Sequence, residues 1–532
     1  MHLYEMINLT KQYLKVNWMK RFTHVVYIEF DGAHFFTVVL LPQKEGTFPT
    51  VILRTPYVQS TLEMSDEAVE QDCLNSFECW LDRGYAVVYQ HCRGQGKSTG
   101  AFVPYVHERE DGLALREWIR KQPFYNGELY LLGGSYTASL HYATAPFEDD
   151  VKGAVFEVQD SERYNLWYRN GQMRKGHANW HFGLYKNKCG LNKSFDMKSF
   201  SERPLKDLSE RVLNDRAEDF EQMLEAQFPS DEFWNTRFGG KDARKAVIEA
   251  NIPILLTTGY NDFYVGGIFD MWNSMKESTK KKSALLVSPY NHGDGCNHED
   301  GLYFPNGKRS EQFGNTYSID WFDNIRKGTL LPFEKGVITY YRAFENRWES
   351  DFYATEIEQI SISLGESALS FQYNPLYPTY FSAEGAFSKE SDFGHDFIRV
   401  LTKPFDQDVF VKGKMRAKLT VSSNCEDSSF YIRISLKNRD YTYVLRHDIT
   451  SLCFQLGDYI KNDVVELNFC FDEYAFLLKK GEQLQIDIAA TDNNTYVPHT
   501  NKRGEYYLQT DTELATNTVC LGKSFLYLPI EK

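Results

Sequence analysis

A serine that follows two glycines at the end of an apolar run is the first feature of this chain that could do chemistry: Gly127-Glu-Leu-Tyr-Leu-Leu-Gly-Gly-Ser135-Tyr136-Thr-Ala138. The run predicts a short strand that turns sharply at Gly133-Gly134 and continues as a helix. Such a turn exposes the Ser135 hydroxyl at its tip and aims backbone N–H groups of the helix N-terminus at a developing oxyanion. Gly-x-Ser alone also describes an ordinary turn, so its partners decide the reading. A serine hydroxyl becomes a nucleophile only when a histidine takes its proton and a carboxylate fixes that histidine's tautomer. Ile252-Pro-Ile-Leu-Leu-Thr-Thr258 opens into Gly259-Tyr-Asn-Asp262, and Ser283-Ala-Leu-Leu-Val-Ser288 ends in Pro289-Tyr-Asn-His292. The order Ser, Asp, His is the one that accompanies this strand-turn-helix element. Read singly, Asp262 is equally a turn or cap residue, and His292 is equally a loop histidine bonded to backbone.

Three β-prone apolar runs that each end in a chemically capable residue predict a parallel α/β sheet, because open sheets of that kind gather their chemistry at the carboxyl ends of strands. Between the strand ending near Glu157 and the one starting at Ile252 the pattern turns helical. Trp167, Tyr168, Met173, Trp180, Phe182 and Tyr185 are spaced so that several share one helix face. Leu205, Leu208, Val212, Phe220, Met223 and Phe228 form a second apolar stripe in a charged, helix-prone stretch. From about Asp351 the chain changes to short alternating runs separated by Gly, Asn, Asp and Ser, among them Met415–Val421, Phe430–Ser435 and Gln483–Ile488. Strands at that spacing predict an all-β sandwich.

The residues around the serine, aspartate and histidine resemble the cocaine esterase and X-prolyl dipeptidyl-peptidase family of α/β-hydrolases. The resemblance rests on Asp31-Gly32, Phe48-Pro-Thr-Val-Ile-Leu-Arg-Thr-Pro-Tyr57, Arg93-Gly94-x-Gly96-x-Ser98-x-Gly100-x-Phe102, Gly133-x-Ser135-Tyr136, Gly259-Tyr260-x-Asp262 and Pro289-x-x-His292-Gly293, in family order over most of the chain. It implies an α/β-hydrolase core in two parts, 1–157 and 251–350, a helical cap inserted at 158–250, and a β jelly-roll domain at 351–532. It further implies that Ser135 attacks, His292 acts as base and then acid, Asp262 orients it, and the Tyr136 backbone N–H and Tyr57 hydroxyl form the oxyanion hole. Trp167, Trp180 and Phe263 become candidates for the substrate pocket, against the plainer reading of packing within the cap. Arg93 is expected to tie loops together rather than to react.

Departures from the family pattern are as informative. Where relatives carry Asp two residues before the Arg-Gly pair, this chain has His91, and Ala138 replaces a glycine three positions beyond the serine. Members that hydrolyse α-amino esters have carboxylates two and three positions after the catalytic Asp, and Tyr264 and Val265 stand there instead, which disfavours that substrate class. X-prolyl dipeptidyl peptidases carry an N-terminal helical domain that the short stretch before the first strand cannot build.

At 532 residues the chain is too long for one core, so two or three domains are expected. Its 59 basic and 73 acidic side chains leave a formal charge of -14, which argues against nucleic acid and anionic lipid as partners. No signal peptide or membrane span is visible, and the 9 cysteines are unpatterned. Reduced thiols and a cytoplasmic setting are the simplest account. His292, Asp294, Cys296 and His298 could supply metal ligands, but the second half of a zinc site is missing, so no metal or cofactor is expected. Three functions survive: a serine hydrolase of small esters or amides, a short-peptide peptidase of the same chemistry, and a non-catalytic protein that binds through its β domain. A homodimer is left open.

Overall fold

The computed structural model describes residues 21–159, 163–189, 197–236, 240–294, 301–353, 357–389 and 396–532. Its first body is a twisted sheet. Strand β1 (Phe22–Phe30) folds back on β2 (Ala33–Leu41) through Asp31-Gly32, both with positive φ. Strands β3 (Phe48–Thr55), β4 (Ala86–His91), β5 (Tyr125–Gly134) and β6 (Val151–Glu157) follow. They read as continuous Val, Ile, Leu and Tyr runs because helices cover both faces of the sheet.

A two-stranded hairpin, β7 (Tyr168–Arg169) and β8 (Gln172–Met173), lies in the insert. The sheet then resumes with β9 (Ile254–Gly259), β10 (Ala284–Ser288), β11 (Ile338–Arg342) and β12 (Arg347–Asp351). Among the described residues its order is β1-β2-β4-β3-β5-β6-β9-β10-β11-β12. Pairing is parallel from β4 to β11 and antiparallel at both edges. The α/β expectation holds, and the consequence for function is immediate: residues that follow β3, β5, β9 and β10 emerge on one rim. Strands lie about 4.8 Å apart, so a residue after β9 sits about 10 Å along the rim from one after β5, within reach of a bridging imidazole.

The insert is helical in part. Helices Tyr164–Trp167, Lys175–Cys189, Leu208–Leu213 and Glu218–Glu225 bury Trp167, Phe182, Leu208, Phe220 and Met223, and the short turn Leu205–Asp207 buries Leu205. Two sequence expectations fail here. Trp167, Met173 and Trp180 do not share one helix, because Asn170-Gly171, both at positive φ, turn the chain into the β7–β8 hairpin. Phe228 leaves its stripe as well: it lies beyond the helix, 48% exposed, and stacks on Phe454 of the β domain at 5.8 Å. The side chain of Tyr185 lies outside the described residues.

The C-terminal part is all-β, with an eight-stranded and a four-stranded sheet among the described residues, joined throughout by antiparallel pairs. The runs read from the sequence fall within strands Arg416–Ser423, Ser429–Lys437 and Gln483–Ala489. The cap is tied to this domain by backbone bonds from Val497 N–H to the Met173 carbonyl and from Lys175 N–H to the Thr495 carbonyl.

Candidate active site

Strand β5 delivers Ser135 at φ 55 and ψ -133, a conformation that costs a non-glycine residue energy and persists only when its surroundings impose it. Three contacts impose it. The Ser135 N–H donates to the Glu157 carbonyl at 2.8 Å, the Ala138 N–H returns to the Ser135 carbonyl at 2.9 Å, and the Thr137 hydroxyl bonds the Gly134 backbone. Gly133 is required by space: a Cβ there would sit 2.5 Å from the Thr137 carbonyl oxygen. The helix Tyr136–Tyr142 begins directly after the serine.

Behind this turn, Tyr136 is locked from its far end. Its buried hydroxyl donates to Glu108 Oε1 at 2.7 Å and accepts from the Tyr105 N–H at 2.9 Å. Glu108 in turn receives Arg54 Nη1 at 3.3 Å. Burial raises the Tyr136 and Glu108 pKa values, with Arg54 and the tyrosine pulling Glu108 back. The Tyr136 ring that follows the serine is therefore buried and bonded at its far end on two sides.

Tyr57 arrives on the loop after β3. Its hydroxyl accepts from Trp180 Nε1 at 3.2 Å. Loss of solvation raises its pKa, while hydrogen bonding with Trp180, with the Ser135 side chain and with the Tyr136 backbone N–H lowers it in part. The phenol, the serine and the Tyr136 N–H thus converge on one point, and the phenol stays protonated as a donor.

The second half of the site comes from β9 and β10. Gly259 ends β9, where a Cβ would lie 2.1 Å from the Tyr290 carbonyl oxygen, so the two loops pass each other at backbone contact. Asp262 is buried, accepts from the Tyr264 N–H at 3.0 Å and faces His292 Nδ1 at 3.3 Å from each carboxylate oxygen. That leaves Nε2 for a nucleophile. Phe263 stacks on the imidazole at 5.1 Å and 20°, and Tyr264 packs beside it at 5.7 Å. Among the described residues no hydrogen bond joins Ser135 Oγ to His292; the hydroxyl lies against the Tyr57 phenol instead. Such bonds are commonly long before substrate binds.

Trp180 is at the site through its bond to Tyr57. Trp167 is 1% exposed and meets the edge of His177, whose other face stacks on Trp180 at 4.8 Å, so it stands a layer behind. Arg93 pairs with Asp111 at 2.5 Å and reaches the Asp31 carbonyl, a tie between loops. His91 is buried beside Lys97, and the loss of water together with that charge pushes its pKa down to about 3, so a neutral imidazole fills this place. Cys296 and His298 lie outside the described residues, and the described residues contain no cluster that could hold a metal.

Arg309 went unread in the sequence. It is buried, donates to the Thr258 carbonyl at 3.0 Å and pairs with Asp294 at 3.0 Å, joining the end of β9 to the loop that carries His292. An arginine on a five-residue helix, far along the chain from the loops it joins, carries no local signal.

A strained serine after a central parallel strand, with a phenol and a helix N–H at its tip and an Asp–His pair two and three strands away, defines a serine hydrolase of the α/β-hydrolase fold. Family comparison agrees: residues 31–294 match the X-Pro dipeptidyl-peptidase (S15 family) model, and residues 337–525 match the X-Pro dipeptidyl-peptidase C-terminal non-catalytic domain. The chain belongs to this family of hydrolases. It is 23% identical over 471 residues to a cocaine esterase of Rhodococcus sp. (strain MB1 Bresler), an alignment that covers 76% of this chain and 78% of that one. Among solved structures, an aminopeptidase from a marine sediment Thaumarchaeota archaeon superposes with a TM-score of 0.78 at 16% identity, over 99% of both chains. An α-amino acid ester hydrolase gives a TM-score of 0.79 at 15% identity, over 98% of this chain and 99% of that one. A CocE/NonD family hydrolase from Staphylococcus aureus gives 0.66 at 15% identity, over 100% of both.

Proposed function

We propose that the protein cleaves an ester or amide bond of a small molecule or short peptide through an acyl-enzyme on Ser135. His292 takes the serine proton and returns it to the leaving group; Asp262 orients the imidazole and balances its charge. The tetrahedral oxyanion is received by the Tyr136 N–H and the Tyr57 hydroxyl, donors that strengthen as charge develops. Water then attacks the acyl carbonyl with His292 again as base. Residues 158–250 act as the cap over this chemistry, and Trp180 and Phe263 border the substrate.

The observation that carries the reading is the convergence of the Tyr57 hydroxyl, the Tyr136 N–H and the strained Ser135 on one point. An esterase is preferred over an α-amino ester hydrolase because Tyr264 and Val265, both buried, occupy the positions where an ammonium would need carboxylates. A cytoplasmic setting is part of the reading; free thiols at the described cysteines support it, and among the described residues no helix is long and apolar enough to cross a membrane.

A fluorophosphonate probe is expected to label the wild-type chain, and labelling should vanish in Ser135→Ala and fall steeply in His292→Ala. Labelling that persists in Ser135→Ala overturns the assignment. A panel of 4-nitrophenyl esters against X-Pro dipeptide anilides then separates esterase from peptidase.

A further inference from the structure

Beside the imidazole, on the far side of Phe263, lies a cavity of about 250 Å³ between the cap, the helix Val265–Ser274 and the β domain. Phe263 is one wall of the cavity and also the ring stacked on His292, so a single side chain stands between the cavity and the catalytic base. Its lining is polar, with Arg169, Arg174, Lys414, Asp448 and Asp472 among its residues.

Most of these charges are spoken for. Arg169 pairs with Asp448 at 2.7 Å and with Asp472 at 3.1 Å, and Lys414 pairs with Asp270 at 3.0 Å. Arg174 differs. Among the described residues it makes no ion pair, and its Nε is buried with no hydrogen-bond partner. Its guanidinium stands 5.9 Å from the Tyr496 ring. Its backbone is anchored at the cavity: the Arg174 N–H donates to the Trp167 carbonyl at 2.7 Å, and the residue bridges to Tyr496. The charge of Arg174 is felt by Asp472, whose pKa it helps to lower, but no described carboxylate bonds it directly, and a guanidinium matches a carboxylate with two parallel hydrogen bonds.

We propose that this cavity receives a carboxylate-bearing end of the substrate, with Arg174 as the cation that holds it. The inference rests on the serine hydrolase reading and narrows its substrate class to esters or amides with an anionic terminus. A cationic terminus would instead need an unpaired carboxylate in the lining, and Asp270, Asp448 and Asp472 are each already paired. The carboxylate can sit on the acyl or the leaving-group side of the scissile bond, a distinction the experiment draws.

Two substrate pairs test it. Mono-4-nitrophenyl glutarate against 4-nitrophenyl pentanoate places the charge on the acyl side; 4-carboxyphenyl butyrate against 4-carbamoylphenyl butyrate places it on the leaving group. In one pair the acid should be preferred, chiefly through KM, and Arg174→Gln should lower that preference roughly tenfold to a hundredfold, with partial recovery in Arg174→Lys. A wild type that prefers the neutral member of both pairs, or a preference untouched by Arg174→Gln, overturns the proposal while turnover of the neutral esters leaves the hydrolase reading standing. Calorimetric titration with glutarate needs no turnover: binding by the wild type that weakens in Arg174→Gln supports the subsite, and equal or absent binding in both rejects it.

Discussion

Replacing Tyr57 by Phe removes one hydroxyl from the point where the phenol, Ser135 and the Tyr136 N–H meet, and the structure sets the size of the effect. The phenol accepts from Trp180 Nε1 at 3.2 Å, which occupies a lone pair and leaves its own proton to be donated. Its pKa is raised, chiefly by loss of solvation, so it remains a neutral donor across the working pH range. The Tyr136 N–H survives the substitution, and its ring stays bonded to Glu108 at 2.7 Å, so the hole is halved and not abolished. Loss of one such donor costs about 10² to 10³ in kcat, or about 3 to 4 kcal/mol of transition-state stabilisation. Because the donor matters most once charge has developed, kcat and kcat/KM should fall together while KM stays close to wild type. Trp180→Phe removes the bond that polarises the phenol, about 1 kcal/mol, and trims the ring stacked on His177, so it should cost at least about fivefold. Steady-state hydrolysis of 4-nitrophenyl butyrate gives both numbers. The substitution leaves the ring in place, so the thermal midpoint of the enzyme should be unchanged and serves as the control. A Tyr57→Phe enzyme with kcat within threefold of wild type would refute the phenol as an oxyanion donor and with it the argument from convergence.

Arg309→Lys keeps a positive charge but cannot reach the Thr258 carbonyl and Asp294 together, so the His292 loop should loosen against β9. The expected result is a fall in kcat of about tenfold with KM unchanged, and a wild-type pH profile and rate in this variant would show that the tie does not position the base. Glu473 is buried 3.5 Å from Lys414, and desolvation pushes its pKa up to about 8. A carboxyl whose folded pKa is raised favours the folded state at low pH; that contribution is complete below the unfolded value of about 4.3 and is lost as pH rises through 8. Glu473→Gln should therefore shrink the drop in thermal midpoint between pH 5 and pH 9, measured by calorimetry, and an unchanged drop would place the titration elsewhere.

What the sequence disclosed followed from how local each signal is. The nucleophile turn, the strands and the loops that carry Asp262 and His292 are each written in a few consecutive residues, because a buried parallel strand needs an unbroken apolar run and a strained turn needs glycine beside it. The cap was less legible. Aromatic spacing over 167–185 suggests several residues on one helix face, yet Asn170-Gly171 within that span is itself a strong hairpin signal. Two consecutive residues at positive φ override a helical periodicity that spans them, and the chain follows the turn.

Arg309, Glu108 and Arg174 were invisible for a different reason. Each acts through partners remote in sequence: Arg309 through Thr258, Glu108 through Arg54, Arg174 through the cavity wall it shares with the β domain. A charged residue on a short element reads as solvated unless its neighbours are known, and the neighbours are supplied by topology. The sheet order brings β9 and β10 side by side two strands from β5, which is why an Asp and a His 30 residues apart can face one another at 3.3 Å. The same order forces those two loops into backbone contact at Gly259, so the pair is oriented by the crossing itself, and Arg309 clamps the crossing from below. On this argument the chemistry is read from local motifs and its rate is set by distant ties. Substrate choice falls to whatever the cap and β domain add at the rim, where Arg174 is the one cation of the cavity lining that no described carboxylate pairs.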